Sequence, residues 1–204
     1  MKLSKTILIL IALISLISVN SYSQSTGFGI ESGINVGDIS SSPAFNTSTK
    51  TGFMVGGFAD IGVTDIFAIR PGLRYITKGF SSTFNGVTFT DNLSYLEAPL
   101  LLKVSVPLPK VKPYFMAGPT LGIQLSANET FGAGAQAQDL DASQIYETID
   151  FGLYFGGGID FHVANKMEIF TGFGYSLGLT NISKLTTSAR NHGLQVTSGV
   201  KFNL

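Results

Sequence analysis

The chain has 204 residues, with 13 Lys plus Arg balancing 13 Asp plus Glu, only 13% charged residues, 24 glycines, 16 phenylalanines and no cysteine. Zero net charge and the lack of a basic run interleaved with aromatics exclude a nucleic-acid partner. The missing thiols exclude disulfides, thiolate metal sites, a cysteine nucleophile and a lipid-modified cysteine. The length suits one domain, and so charge-poor and glycine-rich a composition is unusual for one that lives in water.

Lys2 and Lys5 precede an apolar run from Ile7 to Val19, and Ser21-Tyr22-Ser23 places small residues around a cut before Gln24. This is the layout of a secretory leader; the run is too short for a spanning helix, which needs roughly 20 residues. Residues 1–23 are expected to be a signal peptide and residues 24–204 the mature domain.

Beyond the leader no stretch keeps a helical apolar period, whereas alternation of period two recurs. It predicts eight strands, at about Gly27 to Asp38, Gly52 to Val63, Phe67 to Lys78, Leu93 to Val106, Val111 to Ala127, Ile149 to Val163, Met167 to Thr180 and Leu194 to Leu204. The connections after the second, fourth and sixth are tight, at Thr64 to Ile66, Pro107 to Lys110 and Ala164 to Lys166. Those after the first, third, fifth and seventh are long and polar, at Ile39 to Thr51, Gly79 to Asn92, Asn128 to Thr148 and Asn181 to Gly193. Short turns on one rim and long loops on the other are the pattern of a bacterial outer-membrane barrel, with the long loops outside the cell.

In the sixth strand Ile149, Phe151, Leu153, Phe155, Ile159 and Phe161 share one face, while Asp150, Tyr154, Asp160 and His162 share the other. The fourth and eighth strands repeat the division, with Leu96, Leu100 and Leu102 against Glu97 and Lys103, and Leu194, Val196 and Phe202 against Gln195 and Lys201. Such alternation alone also suits a water-soluble sheet with its apolar face inward. Strands long enough to cross hydrocarbon at a tilt (~9–11 residues), the low charge, and Gly and Ser on the polar face turn the apolar face toward lipid. In lipid only helices or closed barrels satisfy every backbone group. The predicted fold is therefore all-β, an eight-stranded antiparallel transmembrane up-and-down β-barrel with the first strand closed on the eighth.

The polar face carries Glu31, Asp60, Glu97, Asp150, Asp160 and Glu168, together with Arg70, Arg74, Lys78, Lys103, Lys112 and Lys201, into the lumen. Buried charges persist when paired and hydrogen-bonded, so this balance suits an interior filled by side chains. Turn length and parity place Asp60 opposite Arg70, His162 opposite Glu168 and Glu31 opposite Lys201. Eight strands enclose their own side chains or one small ligand, whereas diffusion porins use about 16 to 18, so a general pore is not expected.

His162 beside Asp160 has the residue types of an acid–base pair, but it lies near the short-turn rim with Glu168 as a simple charge partner, and no G-x-S-x-G nucleophile elbow is present. His192 falls in the last long loop, far in sequence from the other histidine. Gly156-Gly157-Gly158 lacks the following Lys-Ser or Lys-Thr of a phosphate-binding loop and reads as strand packing. The loop Asn128 to Thr148, with Phe131-Gly132-Ala133-Gly134-Ala135-Gln136-Ala137, is either a solvated loop or a surface for an external partner. Asn128-Glu129-Thr130 and Asn181-Ile182-Ser183 match the glycosylation sequon by composition alone. No catalytic residue, cofactor or metal is expected.

Tyr95-Leu96-Glu97-Ala98-Pro99-Leu100-Leu101-Leu102-Lys103 resembles the PorT-like outer-membrane β-barrel family, or porin family proteins, whose fourth strand carries Y-L-E-x-P-L-L-L-K. The resemblance continues through Lys112-Pro113-Tyr114, Ala117-Gly118-Pro119, Asp150, Gly156 to Asp160, and Tyr175 with Gly178 to Ile182, covering the mature chain almost end to end. Two positions depart from the pattern: Gly174 stands where an Arg is common, and the chain ends in Leu204 where Phe is common. The resemblance implies a fold and an outer-membrane location more than an activity, although PorT itself is linked to protein secretion.

The expectation is thus a small structural or binding barrel in the bacterial outer membrane, not an enzyme. Its partners would be outer-membrane lipid and, through four outer loops, envelope or secretion-system proteins. The alternatives are a narrow solute or ion channel and an accessory component of a secretion system.

Overall fold

In the computed structural model, which describes residues 26–42, 46–84, 86–132, 138–185 and 187–204, alternation becomes nine antiparallel strands. They are β1 (Gly27–Ser42), β2 (Thr47–Gly62), β3 (Phe67–Phe84), β4 (Val87–Ser105), β5 (Val111–Phe131), β6 (Gln138–Asp141), β7 (Ile149–Ala164), β8 (Met167–Gly178) and β9 (Ser188–Asn203). The expected leader, residues 1–23, and the run 133–137 lie outside the described residues.

Eight of these strands form a ring. Each pairs with the next along the chain, β5 pairs with β7 across the intervening segment, and β9 returns to β1 from Gly27↔Asn203 to Ser42↔Ser188. Closure leaves no open edge through the bilayer, the condition under which sheet backbone tolerates lipid.

The ninth strand was not expected. β5 stays paired to β4 up to Phe89↔Phe131, but β7 begins only opposite Ile123, leaving the other side of β5 without a neighbour. β6 fills that side from Asn128↔Asp141 to Phe131↔Gln138, inside a segment read from sequence as loop. Unpaired backbone donors and acceptors favour such an addition.

The long connections are correspondingly shorter than the sequence pattern suggested. β1 runs to Ser42, β3 to Phe84, and β9 starts at Ser188, so His192 belongs to a strand and not to a loop. Above the apolar belt the outward positions become Thr51, Thr88, Thr90 and Asn92, and hydropathy stops alternating although the hydrogen-bond ladder continues. Cross-strand hydroxyl contacts support it there, Ser81 with Thr90 at 2.9 Å and Thr83 with Thr88 at 3.2 Å.

The faces are inverted relative to a water-soluble barrel. Phe151, Phe155 and Phe161 are 40%, 43% and 37% exposed, whereas Asp150 and Asp160 on the opposite face are 2% and 1% exposed. Ile30, Val55, Leu73, Leu100, Phe115, Phe173 and Val196 extend the exposed apolar belt around the ring.

Candidate functional site: the charged lumen and the capped mouth

The inward positions place all twelve expected lumen charges inside the ring, where they divide into two ion-pair clusters. Toward the outer side, Arg74 donates to Glu97 through Nε at 2.8 Å and faces Glu31 at 3.8 Å. Lys78 bridges Glu97 at 2.7 Å and Asp150 at 3.0 Å. Toward the short-turn rim, Arg70 Nη2 donates to Asp60 at 2.7 Å, and Lys103 reaches both Asp60 at 3.2 Å and Asp160 at 2.7 Å. Lys201 lies 3.4 Å from each of those aspartates and also bridges Glu168, which accepts from Lys112 at 2.8 Å.

No ion pair among the described residues joins the two clusters. The outer one holds three acids (Glu31, Glu97, Asp150) against two bases (Arg74, Lys78). The rim-side one holds three acids (Asp60, Asp160, Glu168) against four (Arg70, Lys103, Lys112, Lys201). Their formal charges cancel between clusters, not within them.

Aromatic rings fill the space around these groups. Arg70 stacks over the Phe58 ring at 3.9 Å, and Arg74 lies 5.6 Å from the Tyr154 ring centre. The glycines opposite are small for steric reasons: a Cβ at Gly156 or Gly174 would overlap the Tyr154 hydroxyl, and one at Gly172 would lie 2.7 Å from the Tyr114 hydroxyl. Gly174 therefore faces a place already filled by Tyr154. Gly156 and Gly158 serve packing in the same way.

Asp60 lies between the registered pairs Phe58↔Gly72 and Ile61↔Ile69, which brings Arg70 to it, and His162 stands opposite Glu168 at 3.1 Å. The third expected pair is not formed. Lys201 stands opposite Gly29, and Glu31 faces Gly199, two residues from the expected register. Parity fixed the face of each residue but not its height along the strand. Asp160 is engaged by Lys103 and Lys201 while His162 turns to Glu168, so the two do not act as an orienting carboxylate and a base. His192 points outward against Tyr175, with ring centres 6.3 Å apart, and contacts Ser40. Among the described residues no group of three or more His, Cys, Asp and Glu side chains is placed to hold a metal ion.

Above the ions the interior changes character. Ile39, Met54, Ile76, Leu93, Tyr95, Ala127, Ala142, Tyr146, Ile182 and Ala189 form a buried apolar cluster. Two segments between strands fold over the mouth to complete it: Ala142 N–H donates to Ala127 O, Glu147 N–H to Ile182 O, and Lys184 N–H to Ile145 O. Asn181 Oδ1 accepts from the N–H groups of Ser183 and Ala189, fixing the second segment.

Tyr146 Oη donates to Asp91 at 2.8 Å within this cap. Burial pushes the Asp91 carboxyl up to about 6, opposed by the Tyr146 hydrogen bond and assisted by the Glu129 charge opposite it in register. Burial likewise raises the Tyr146 phenol. Continuing the inward parity of Glu97, Tyr95 and Leu93 reaches Asp91, so the strand pattern carried a signal for it. Tyr146 and Ile182 come from non-strand segments and carried none.

Beside the cap, Ile39, Phe80, Ile145, Leu185 and Ala189 line a cavity of about 460 Å³.

A closed eight-stranded ring, an outward apolar belt and an ion-paired interior define a small transmembrane β-barrel of the bacterial outer membrane. The chain belongs to the outer membrane protein beta-barrel domain family, which it matches over residues 22–184. Its fold is similar to that of Neisserial surface protein A, at 15% identity and a TM-score of 0.51, covering 87% of this chain and 97% of that one. It is also similar to a major outer membrane protein from Thermus thermophilus, at 13% identity and a TM-score of 0.50, covering 88% and 99%. A comparison with curated proteins finds no match.

Proposed function

We propose that this outer-membrane barrel has a binding or structural role exercised at its outer mouth, and that it conducts no solute along its axis. The observation that carries this reading is the filled interior. Glu97, Lys103, Asp150, Asp160 and Glu168 are at most 2% exposed and cross-linked by ion pairs, and the apolar cap closes over them. Opening a path would strand charges in a low-dielectric interior, a change costing several kcal/mol per broken pair. The outer hairpin ends and the cap are then the surfaces left for ligands or envelope proteins.

Residues 1–23 act in this reading as the export leader, and the Y-L-E-A-P-L-L-L-K strand supports membership of the PorT-like branch. Purified protein reconstituted in planar bilayers tests the proposal. No stable single-channel current is expected, and a reproducible unitary conductance would replace this reading with the narrow-channel alternative. Co-purification of secretion components would favour the accessory alternative.

A further inference from the structure

We infer that the cavity beside the cap is a binding site for one neutral, mostly aliphatic small molecule carrying a hydroxyl or ether group, arriving from outside the cell. The inference rests on the reading that the outer mouth is the working surface, and it names the class of ligand.

The walls come from strand ends and cap segments that the closed ring brings together. β1 contributes Ile39, β3 contributes Phe80, β9 contributes Ala189, and the two cap segments contribute Ile145 and Tyr146 on one side and Leu185 on the other. At about 460 Å³ the cavity lies within the ~300–1,000 Å³ range of small-molecule sites. Its apolar wall is continuous with the buried cluster, through Ile39, Tyr146 and Ala189.

Among the described residues the polar groups that line it are all uncharged, including the hydroxyls of Ser82, Thr83, Ser183 and Thr187 and the amide of Asn46. A charged ligand would find no counter-ion in this lining, and burying an unpaired charge is strongly unfavourable. A neutral aliphatic body fits the wall, and a hydroxyl or ether fits the rim, where either can exchange hydrogen bonds with Ser and Thr. The site lies at the level where the outward faces have become Thr and Ser, above the apolar belt, so its entrance faces the medium and not the lipid tails.

Photo-crosslinking in lipid nanodiscs tests the inference. The folded protein is treated with a diazirine derivative of dodecanol or with the matched diazirine carboxylate, and labelled residues are located by peptide mass spectrometry. The alcohol is expected to label the segments holding Phe80, Ile145 and Leu185, saturably and with competition by unlabelled dodecanol. The carboxylate should label them at least about tenfold less, as loss of about 1.4 kcal/mol would give. Ala189→Phe, which fills the cavity, and Leu185→Asp, at an exposed position on its lip, should each abolish this labelling. Labelling of lipid-facing Phe151 and Phe173 should persist in both and serves as the internal control.

Label confined to lipid-facing strands, equal labelling by the carboxylate, or cavity labelling that survives both substitutions would overturn the inference. A barrel that still migrates compactly on unheated gels and carries no current, yet takes no label in the cavity, would sink the ligand and leave the closed-barrel reading standing.

Discussion

Glu97 is the residue on which the outer ion cluster turns, and Glu97→Gln isolates its contribution. The carboxylate is 1% exposed and accepts from Arg74 at 2.8 Å and faces Lys78 at 2.7 Å. After substitution the carboxylate left to Arg74 among the described residues is Glu31 at 3.8 Å, and that left to Lys78 is Asp150 at 3.0 Å. The cluster then holds two acids and two bases, so formal charge improves while local geometry fails. Removing one partner of a buried pair costs about 3–5 kcal/mol; with Asp150 and Glu31 still present the lower end, about 3 kcal/mol, is expected. The assay is urea unfolding in phospholipid vesicles, followed by the fraction that migrates as the compact form on unheated gels. Adding Lys78→Met removes one stranded cation and should recover at least about 1 kcal/mol relative to additivity. A Glu97→Gln barrel within about 0.5 kcal/mol of the parent, with no coupling to Lys78, would show that the lumen charges are solvated and that the filled-interior argument is wrong.

The cap should respond to pH through Asp91. Its carboxyl titrates at about 6 when folded against an ordinary 3.8, so folding favours the protonated form; this stabilisation is complete below pH 3.8 and is lost as pH rises through about 6. The span of about two units corresponds to roughly 3 kcal/mol. Hydrogen exchange of the Ala142 and Ile182 amides, corrected for intrinsic rates, should show protection falling across that window, and Asp91→Asn should flatten the dependence. Gly174→Ala should destabilise the barrel by about 1–3 kcal/mol in the same urea assay, because the added methyl overlaps the Tyr154 hydroxyl and ring edge; pairing it with Tyr154→Leu, which removes both, should cost less than the sum of the two single changes. If residues 1–23 are the leader, mass spectrometry of protein recovered from outer membranes will find Gln24 at the N-terminus.

The direction of the faces was legible in the sequence for the eight segments it showed as strands, because a period of two is a local property: Phe151 and Asp150 must point opposite ways whatever surrounds them. That Phe151 meets lipid and Asp150 the lumen followed from strand length, composition and the leader pattern, none of which needs a contact map. The Asp60–Arg70 and His162–Glu168 placements also followed from turn length, since a tight turn ties the register of two neighbouring strands.

Register across the seam could not be read in the same way. β1 and β9 are joined by no turn, and their relative height is set by how the whole ring closes, which is why Lys201 meets Gly29 and not Glu31. The cap was equally hidden. Tyr146 and Ile182 sit in segments without periodicity, and their burial arises only when two connections distant in sequence meet over the mouth and share the apolar ends of β1, β3 and β4. Local pattern thus determined which residues look inward and which meet the membrane. Ring closure and the meeting of distant segments decided which inward residues touch, where the ionic interior gives way to an apolar one, and that a cavity lies beside the cap.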